Sequence, residues 1–403
     1  MSASLSQVGR LESAALGHGD VVAVALPPGP EWLDLVPEVW DAGAALFPVD
    51  HRLPPAEIGA LIHRARPTVV LSPDGWERRD DGIPAEIGVA LVVHTSGTAG
   101  EPRLVQFDRA AIDAAVTASA LALEATPHDR WLCCLPLAHV GGLLVLLRGL
   151  LLGAPVVVHP HFEPSAIAAE PDLALTSVVP TMLVRLLDAD VDLARFRAIL
   201  VGGARLPLDL RERAEAAGAR IVETYGLTES CGGVVYEGLP LPGVEMRIDD
   251  EGGIELRGPT LMLGYRFDAE GTTGAFTPDG WLRPGDAGEI DAEGRLHVIG
   301  RVDALINTGG EKVWPEEVEA ILREHPKIAE VAVGGRPDPE WGQRVVAWVV
   351  AIDPADPPGL RDLRGFVARV LPRHKAPREL VLVEALPRTG SGKLRRSALP
   401  DAE

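Results

Sequence analysis

Over its first 240 residues the chain alternates short apolar runs with segments of helical spacing, and this rhythm constrains the fold more than any other feature. "VVAVAL" (21–26), "AALFPV" (44–49), "TVVLS" (68–72), "ALVVHTS" (90–96), "APVVVHP" (154–160), "LTSVVP" (175–180), "AILVGG" (198–203) and "RIVETYG" (220–226) read as short buried strands. Between them lie segments such as "EWLDLVPEVWDAG" and "PLDLRERAEAAG", the second closing on a glycine as helices often do. Such alternation implies an α/β fold with a mostly parallel sheet and helices on both faces. From 243 to 300 the texture changes: "VEMRID", "GGIELRG" and "GEIDAEGRLHVIGR" alternate polar with apolar and turn on Asp/Gly pairs. "DAEG" there is a hairpin signal, which predicts a small antiparallel subdomain at about 240–300. Beyond 303 helix and strand mix again, with "PEEVEAILREHP" helical from Pro315, "IAEVAVGG" and "RVVAWVVAI" as strands and "LRDLRGFVARVLP" as a helix. The expected division is a large N-terminal α/β domain, 1–302, and a small α+β C-terminal domain, 303–403, meeting at Arg301–Asp303.

Charge narrows the partners. A formal charge of −20 over 403 residues argues against nucleic acid and against anionic membrane, since both are bound through basic surface. The most apolar run, "VGGLLVLLRGLLLGAPVVV" (140–158), is broken by Arg148, by glycines and by Pro155, whereas a membrane span needs about 20 uninterrupted apolar residues. A buried helix leading into a strand is the better reading. The opening "MSASLSQVGRLESAALGHGD" has no basic stretch followed by an apolar one, as a secretory signal would. Cys133, Cys134 and Cys231 show no metal-like spacing, so reduced thiols and a cytoplasmic location are expected. Four lysines stand against 34 arginines, all four beyond residue 301, and one of them, Lys393, sits between glycine and leucine in "TGSGKLRR".

Several loops carry chemistry. "HTSGTAGEPRL" (94–104) follows an apolar strand but lacks the Walker spacing. Thr95, Ser96 and Thr98 supply hydroxyl donors, Gly97 and Gly100 let backbone N–H groups face one anion, and Arg103 adds charge. The alternative is a plain strand-to-turn junction. In "VGGARLP" (201–207), Gly202 and Gly203 remove side chains where a flat ring could lie, or they simply make a tight turn. "ETYGLTES" (223–230) brings together Tyr225, Gly226, Thr228 and Glu229; a carboxylate beside phosphate points to Mg²⁺, and otherwise Glu229 is a solvated acid at a helix start. Three such strand ends favour a ligand crevice at the carboxyl edge of the sheet. Asp286 in "RPGDAGEI" can take both hydroxyls of a ribose or be a turn aspartate. Gly309 and Gly310, before Glu311, suggest close backbone approach. Lys393 can reach a negative group or be a solvated basic loop residue. His139, in "LPLAHVGG", is a cap, a core residue or a pocket residue, and no histidine pair has metal-ligand spacing.

Each motif is modest, but their order and spacing are not. "TSGTAGEPR", "LPLAHVGGL", "GGA", "YGLTE", "GD", "GRVDALINTGGEKVWPEEVE" and "PRTGSGK" together resemble the acyl-adenylate-forming superfamily, in its acyl-CoA synthetase branch. Within it, the short length and "YGLTESCGGVVYEGLPLPGVEMRI" are similar to the compact actinobacterial o-succinylbenzoate–CoA ligases. The resemblance implies that a carboxylic acid attacks the α-phosphorus of ATP with Mg²⁺, and that a thiol then displaces AMP after the C-terminal domain turns. Thr95, Ser96, Gly97, Thr98, Gly100 and Arg103 would hold the β- and γ-phosphates. Gly203, Ala204 and Tyr225 would sandwich adenine, with Gly202 and Gly226 also in the nucleotide site, Thr228 near the α-phosphate and Glu229 on the metal. Asp286 and Arg301 would grip the ribose, and Asp303 would be the hinge. Lys393 would bridge the two reacting anions, His139 would line the acyl pocket, and Gly309, Gly310 and Glu311 would serve the thioester step. The thiol is coenzyme A or a carrier protein, and a homodimer is compatible with the sequence. Two departures stand out: Ala99 replaces a threonine of the usual phosphate loop, and Arg103-Leu104 replaces lysine-glycine. The loop also begins only about 95 residues into the chain, so the first N-terminal elements are expected to be trimmed.

Overall fold

A computed structural model describes residues 15–95, 102–388 and 394–400. These fall into two compact units, one of residues up to 95 with 102–246 and 256–282, the other of 247–255 with 283 onward.

The first unit is built on two seven-stranded sheets. The strands of the first sheet are β1 (Val21–Val24), β2 (Ala45–Pro48), β3 (Val69–Ser72), β4 (Gly75–Arg78), β5 (Val89–His94), β6 (Leu104–Asp108) and, much later, β16 (Gly264–Tyr265), in the spatial order β16-β6-β5-β2-β1-β3-β4. Its centre is parallel: β1 pairs with β2 and β3, and β2 with β5. Its edges are antiparallel hairpins, β5 with β6 and β3 with β4. The second sheet runs β13-β12-β11-β10-β9-β7-β8. Its strands are β7 (Trp131–Cys133), β8 (Val156–Val158), β9 (Leu175–Val178), β10 (Ala198–Val201), β11 (Ile221–Leu227), β12 (Gly232–Tyr236) and β13 (Leu239–Pro240). Here β9, β10 and β11 are neighbours and parallel, so their carboxyl ends lie side by side.

The helices among the described residues of this unit are α1 (Trp32–Asp41), α2 (Pro55–Ala65), α3 (Arg109–Leu123), α4 (Val140–Leu152), α5 (Pro164–Ala169), α6 (Pro180–Asp188), α7 (Leu208–Ala216) and α8 (Ala269–Ala275). Proline opens α2, α5 and α6, where its missing N–H costs no helical bond. Asp108 caps α3 by accepting from Ala111 N at 2.7 Å. The apolar run at 140–158 is the buried α4, closed by Gly153 in the left-handed conformation, and then β8. Leu183, Leu186, Leu210 and Ala214 pack from α6 and α7 onto Ile199, Val201 and Ile221 of the second sheet. Phe47, Leu61 and Ala65 join Val21 and Ala23 under the first. Each fully buried Leu, Val or Phe of this kind contributes about 1.5–3 kcal/mol. Such all-buried runs are what parallel strands covered on both faces require.

The β14 (Glu245–Ile248) and β15 (Ile254–Arg257) hairpin follows, and its tip, 247–255, belongs to the second unit. That unit also holds β17 (Asp286–Ile290) paired antiparallel with β18 (Leu296–Arg301), the hairpin that "DAEG" announces. Its main sheet contains β19 (Ile306–Thr308), β20 (Glu311–Val313), β21 (Ile328–Asp338), β22 (Gly342–Ala351) and β23 (Glu379–Leu382), in the order β20-β19-β22-β21 with β23 parallel to β22. Helices α9 (Pro315–Leu322) and α10 (Leu360–Val367) cover it through Val318, Leu322, Leu363 and Val367. Besides 247–255 this unit takes in 283–302, residues that the division suggested by the sequence at Arg301–Asp303 leaves with the N-terminal domain. Within it β18 runs close to α9: a Cβ at Gly300 would meet the end of the Glu316 side chain. Among the described residues no helix is long and apolar enough to cross a membrane, and all three cysteines are buried free thiols.

Candidate active site

Adjacent parallel strands β10 and β11 bring the "VGGA" and "YGLTE" segments to one edge of the second sheet. Gly202, Gly203 and Ala204 follow β10 directly, with Gly203 at φ +78°. Tyr225 and Gly226 lie in β11, and Thr228 and Glu229 in the 3₁₀ turn Thr228–Ser230 that ends it. Gly226 sits at a register shift between β11 and β12, where a Cβ would strike the carbonyl oxygen of Gly232. Ser230 fixes the turn, donating to Leu227 O at 3.1 Å and accepting from Leu227 N at 3.0 Å.

The phosphate-loop candidate is flanked by a clasp. Thr95 N donates to Arg103 O at 2.8 Å, and Arg103 N donates to Thr95 Oγ1 at 3.0 Å. The strand before the loop thus returns as the antiparallel β6, not as a helix. Ser96, Gly97, Thr98, Ala99 and Gly100 lie outside the described residues. Arg103 stacks over the Tyr265 ring at 4.8 Å from its centroid, and the Tyr265 hydroxyl donates to Glu229 Oε1 at 2.9 Å. The interaction with Tyr265 raises the Arg103 pKa against the opposing effect of burial. Burial and then the Glu229 charge push the Tyr265 phenol up to about 12, so it remains a hydrogen-bond donor near neutral pH. The loop cation and the metal-carboxylate candidate, 126 positions apart in sequence, are thereby joined through one side chain.

His139 is the residue before α4, and its carbonyl accepts from Gly142 N and Leu143 N at 3.0 Å each. Its ring lies 5.7 Å from that of His94. His94 is buried, which lowers its pKa, and its Nε2 has no hydrogen-bond partner among the described residues. Nearby, Asp50 receives Arg52 Nε at 2.8 Å and Arg52 Nη2 at 2.7 Å. Burial alone would raise the Asp50 pKa, but the Arg52 hydrogen bonds outweigh it and hold the carboxyl at about 2. Asp50, His51 and Arg52 line a cavity of about 60 Å³ together with Leu135, Phe162 and Met182.

The remaining candidates belong to the second unit. Asp286 and Arg301 are partners across β17–β18, with Oδ1 and Nη1 3.3 Å apart. Arg301 Nε also reaches Asp303 Oδ1 at 3.3 Å, so the ribose and hinge candidates share one guanidinium. Burial lowers the Arg301 pKa, but the Asp286 and Asp303 carboxylates more than offset it. Gly309 and Gly310 form the turn between β19 and β20, with Gly309 N bonded to Trp341 O at 2.8 Å and Glu311 opening β20. Lys393 lies outside the described residues. Beside it, Arg388 bridges Leu394 and Arg395 N donates to Pro387 O at 2.8 Å. Arg396 then binds Glu319 Oε1 at 2.6 Å and Glu316 Oε1 at 2.9 Å, anchoring this stretch to α9.

The match to known families decides what these elements are. The AMP-binding enzyme model matches residues 8–87 and 72–266, and the model of the AMP-binding enzyme C-terminal domain matches 317–393. The chain belongs to the AMP-binding enzyme family. Among its relatives, a probable 2-succinylbenzoate–CoA ligase of Mycobacterium tuberculosis is 40% identical over 330 residues, covering 77% of this chain and 84% of the relative. The solved o-succinylbenzoate CoA synthetase (MenE) of Bacillus subtilis, in complex with the acyl-adenylate intermediate OSB-AMP, superposes with a TM-score of 0.88 at 29% identity, covering 98% of this chain and 91% of that one. The same Bacillus protein in complex with ATP and a magnesium ion superposes with a TM-score of 0.86 at 28% identity, over 98% and 92% of the two chains.

As an AMP-binding enzyme the chain fits a magnesium ion that arrives with its nucleotide. Among the described residues no group of three His, Cys, Asp or Glu could hold a metal unaided. Mg²⁺ asks for one or two carboxylates plus phosphate oxygens and water, and the Glu229 carboxylate is a donor of the kind that such a set requires. Three groups escaped the sequence reading. Tyr265 sits in a two-residue strand with no periodic signal. Arg396 looks like one more surface arginine in "KLRRSAL". Asp50–Arg52 follows β2, and the carboxyl-edge argument applied to that strand would have found it.

Proposed function

We propose that this chain is an ATP-dependent carboxylate–CoA ligase whose acid is o-succinylbenzoate. The observation that carries the reading is the junction of Arg103 and Glu229 through Tyr265, beside the strand-end segments at Gly202–Ala204 and Tyr225–Thr228. A cation and a carboxylate held together there suit a polyphosphate with its metal. The choice of acid is supported by the names of the relatives.

In the first step an oxygen of the substrate carboxylate attacks the α-phosphorus of ATP; the new O–P bond replaces the bond to pyrophosphate. Thr95, Ser96, Gly97, Thr98, Gly100 and Arg103 retain the β- and γ-phosphates, and Arg103 offers a forked donor in place of an ammonium. Gly203, Ala204 and Tyr225 sandwich adenine, with Gly202 and Gly226 also in the nucleotide site; Thr228 contacts the α-phosphate, and Asp286 and Arg301 hold the ribose. Magnesium, bound by Glu229, neutralises phosphate charge. Lys393 stands between two anions that must meet and stabilises the charge of the transition state. In the second step the coenzyme A sulfur attacks the acyl carbon, the C–O bond to AMP breaks, and the thiol proton departs. Movement about Asp303 withdraws Lys393 and presents Gly309, Gly310 and Glu311, while His139 lines the acyl pocket. A cytoplasmic site of action belongs to this reading, supported by the three unpaired thiols.

Pyrophosphate release measured over a panel of acids, with and without coenzyme A, tests the assignment. The expected result is turnover led by o-succinylbenzoate and dependent on coenzyme A. Acyl transfer to a carrier protein alone, or preference for another acid, would overturn it.

A further inference from the structure

Tyr265 touches both groups that the reading above assigns separately to phosphate and metal. Its hydroxyl donates to Glu229 Oε1 at 2.9 Å, and its ring lies beneath the Arg103 guanidinium at 4.8 Å. Tyr265 is 7% exposed and Glu229 is half-buried, so the charge-assisted phenol–carboxylate bond is partly withdrawn from water, which strengthens it. The backbone around it makes the same connection. Leu263 N and Arg266 N donate to Gln106 O at 2.8 Å and Leu104 O at 2.7 Å, on the strand that follows the phosphate loop. Met262 N donates to Glu229 O at 2.9 Å, on the turn that carries the carboxylate. Tyr265 N is itself fixed by Thr272 Oγ1 at 2.8 Å. One short segment therefore bonds to both elements by main chain and, through a single side chain, to both charged groups. Among the described residues the other Glu229 oxygen, Oε2, accepts no hydrogen bond.

We propose that Tyr265 is a positioning residue: it holds the Glu229 carboxylate by one oxygen, leaves the other for the magnesium ion, and ties that carboxylate to Arg103 so that metal and loop cation act on one polyphosphate. The proposal rests on the reading of Glu229 as the metal carboxylate and Arg103 as a phosphate ligand. Tyr265→Phe removes the hydroxyl and keeps the ring under Arg103. Mn²⁺ titrated into the enzyme–ATP complex and followed by electron paramagnetic resonance is expected to bind the variant about tenfold more weakly, the loss of one hydrogen bond to a half-buried charge. In steady state the Mg²⁺ concentration for half-maximal rate rises in parallel, while kcat approaches that of the wild type as Mg²⁺ is raised. Unchanged Mn²⁺ affinity, or a loss of kcat that no Mg²⁺ concentration restores, overturns the role. Glu229→Gln run alongside separates the two levels. If it weakens Mn²⁺ binding and Tyr265→Phe does not, Tyr265 alone is misassigned. If Glu229→Gln binds Mn²⁺ as the wild type does, the metal reading fails and this proposal with it.

Discussion

Lys393 is the side chain on which the proposed chemistry most depends, because it alone is asked to stand between two anions as they react. Lys393→Ala should lose about 10²–10³-fold or more in adenylation while ATP still binds, measured by pyrophosphate exchange and by calorimetry. Full adenylation by that variant would remove the lysine from the mechanism. Ala99 is a second residue-scale question, since it supplies no hydroxyl where the family's loop has threonine. Ala99→Thr should tighten ATP binding, and an unchanged affinity and turnover would mean that backbone rather than side chains holds the phosphates there. The Asp50–Arg52 pair sets a pH dependence of stability. The folded carboxyl sits at about 2 against an ordinary 3.8, so it is depressed on folding. Its contribution is full above the unfolded value and is lost as pH falls through the folded one. The difference in melting temperature between wild type and Arg52→Gln should be constant near neutrality and shrink between about pH 4 and pH 2. A difference as large at pH 2 as near neutrality would show that Arg52 stabilises by packing.

Among the elements, the β11–β12 junction is the most sensitive. Gly226→Ala drives a Cβ into the Gly232 backbone, which cannot swing aside as a side chain would. The cost should be about 1–3 kcal/mol of stability, with weaker ATP binding, read by thermal unfolding and by ATP titration. A variant as stable as the wild type would mean that β12 can shift freely. Elements such as β1, β2, β3, β9 and β10 were legible because strands buried on both faces are continuous apolar runs, and "VVAVAL" or "AILVGG" have no other reading. The hairpin β17–β18 was legible from its Asp/Gly turn. By contrast β4, "GWER", is a polar edge strand, and β7, "WLC", is too short for any periodicity. β16 is two residues long and pairs with β6 across more than 150 positions, so it carries no signal of its own. The same division runs through the site. Tyr225, Thr228 and Glu229 stand out as candidates because a strand end concentrates them, whereas Tyr265 reaches Glu229 only through the fold.

At the scale of the molecule the proposed mechanism needs two compact units and a point of rotation between the two steps. Asp303, in the 3₁₀ turn Val302–Ala304, is the residue assigned to that point. Asp303→Pro fixes one backbone dihedral, so pyrophosphate release in the first step should stay within about threefold of wild type while thioester formation falls about tenfold or more. Equal losses in both steps would place the hinge elsewhere. The central claim is that an oxygen of the acid becomes the bridge to AMP before a thiol displaces it. Supplying o-succinylbenzoate labelled with ¹⁸O in its carboxylates, together with ATP, Mg²⁺ and coenzyme A, and weighing the nucleotide product by mass spectrometry tests this directly. The account predicts AMP carrying one ¹⁸O atom for each o-succinylbenzoyl-CoA formed. Label in orthophosphate with ADP as the nucleotide product, or thioester formed with unlabelled AMP, would contradict it.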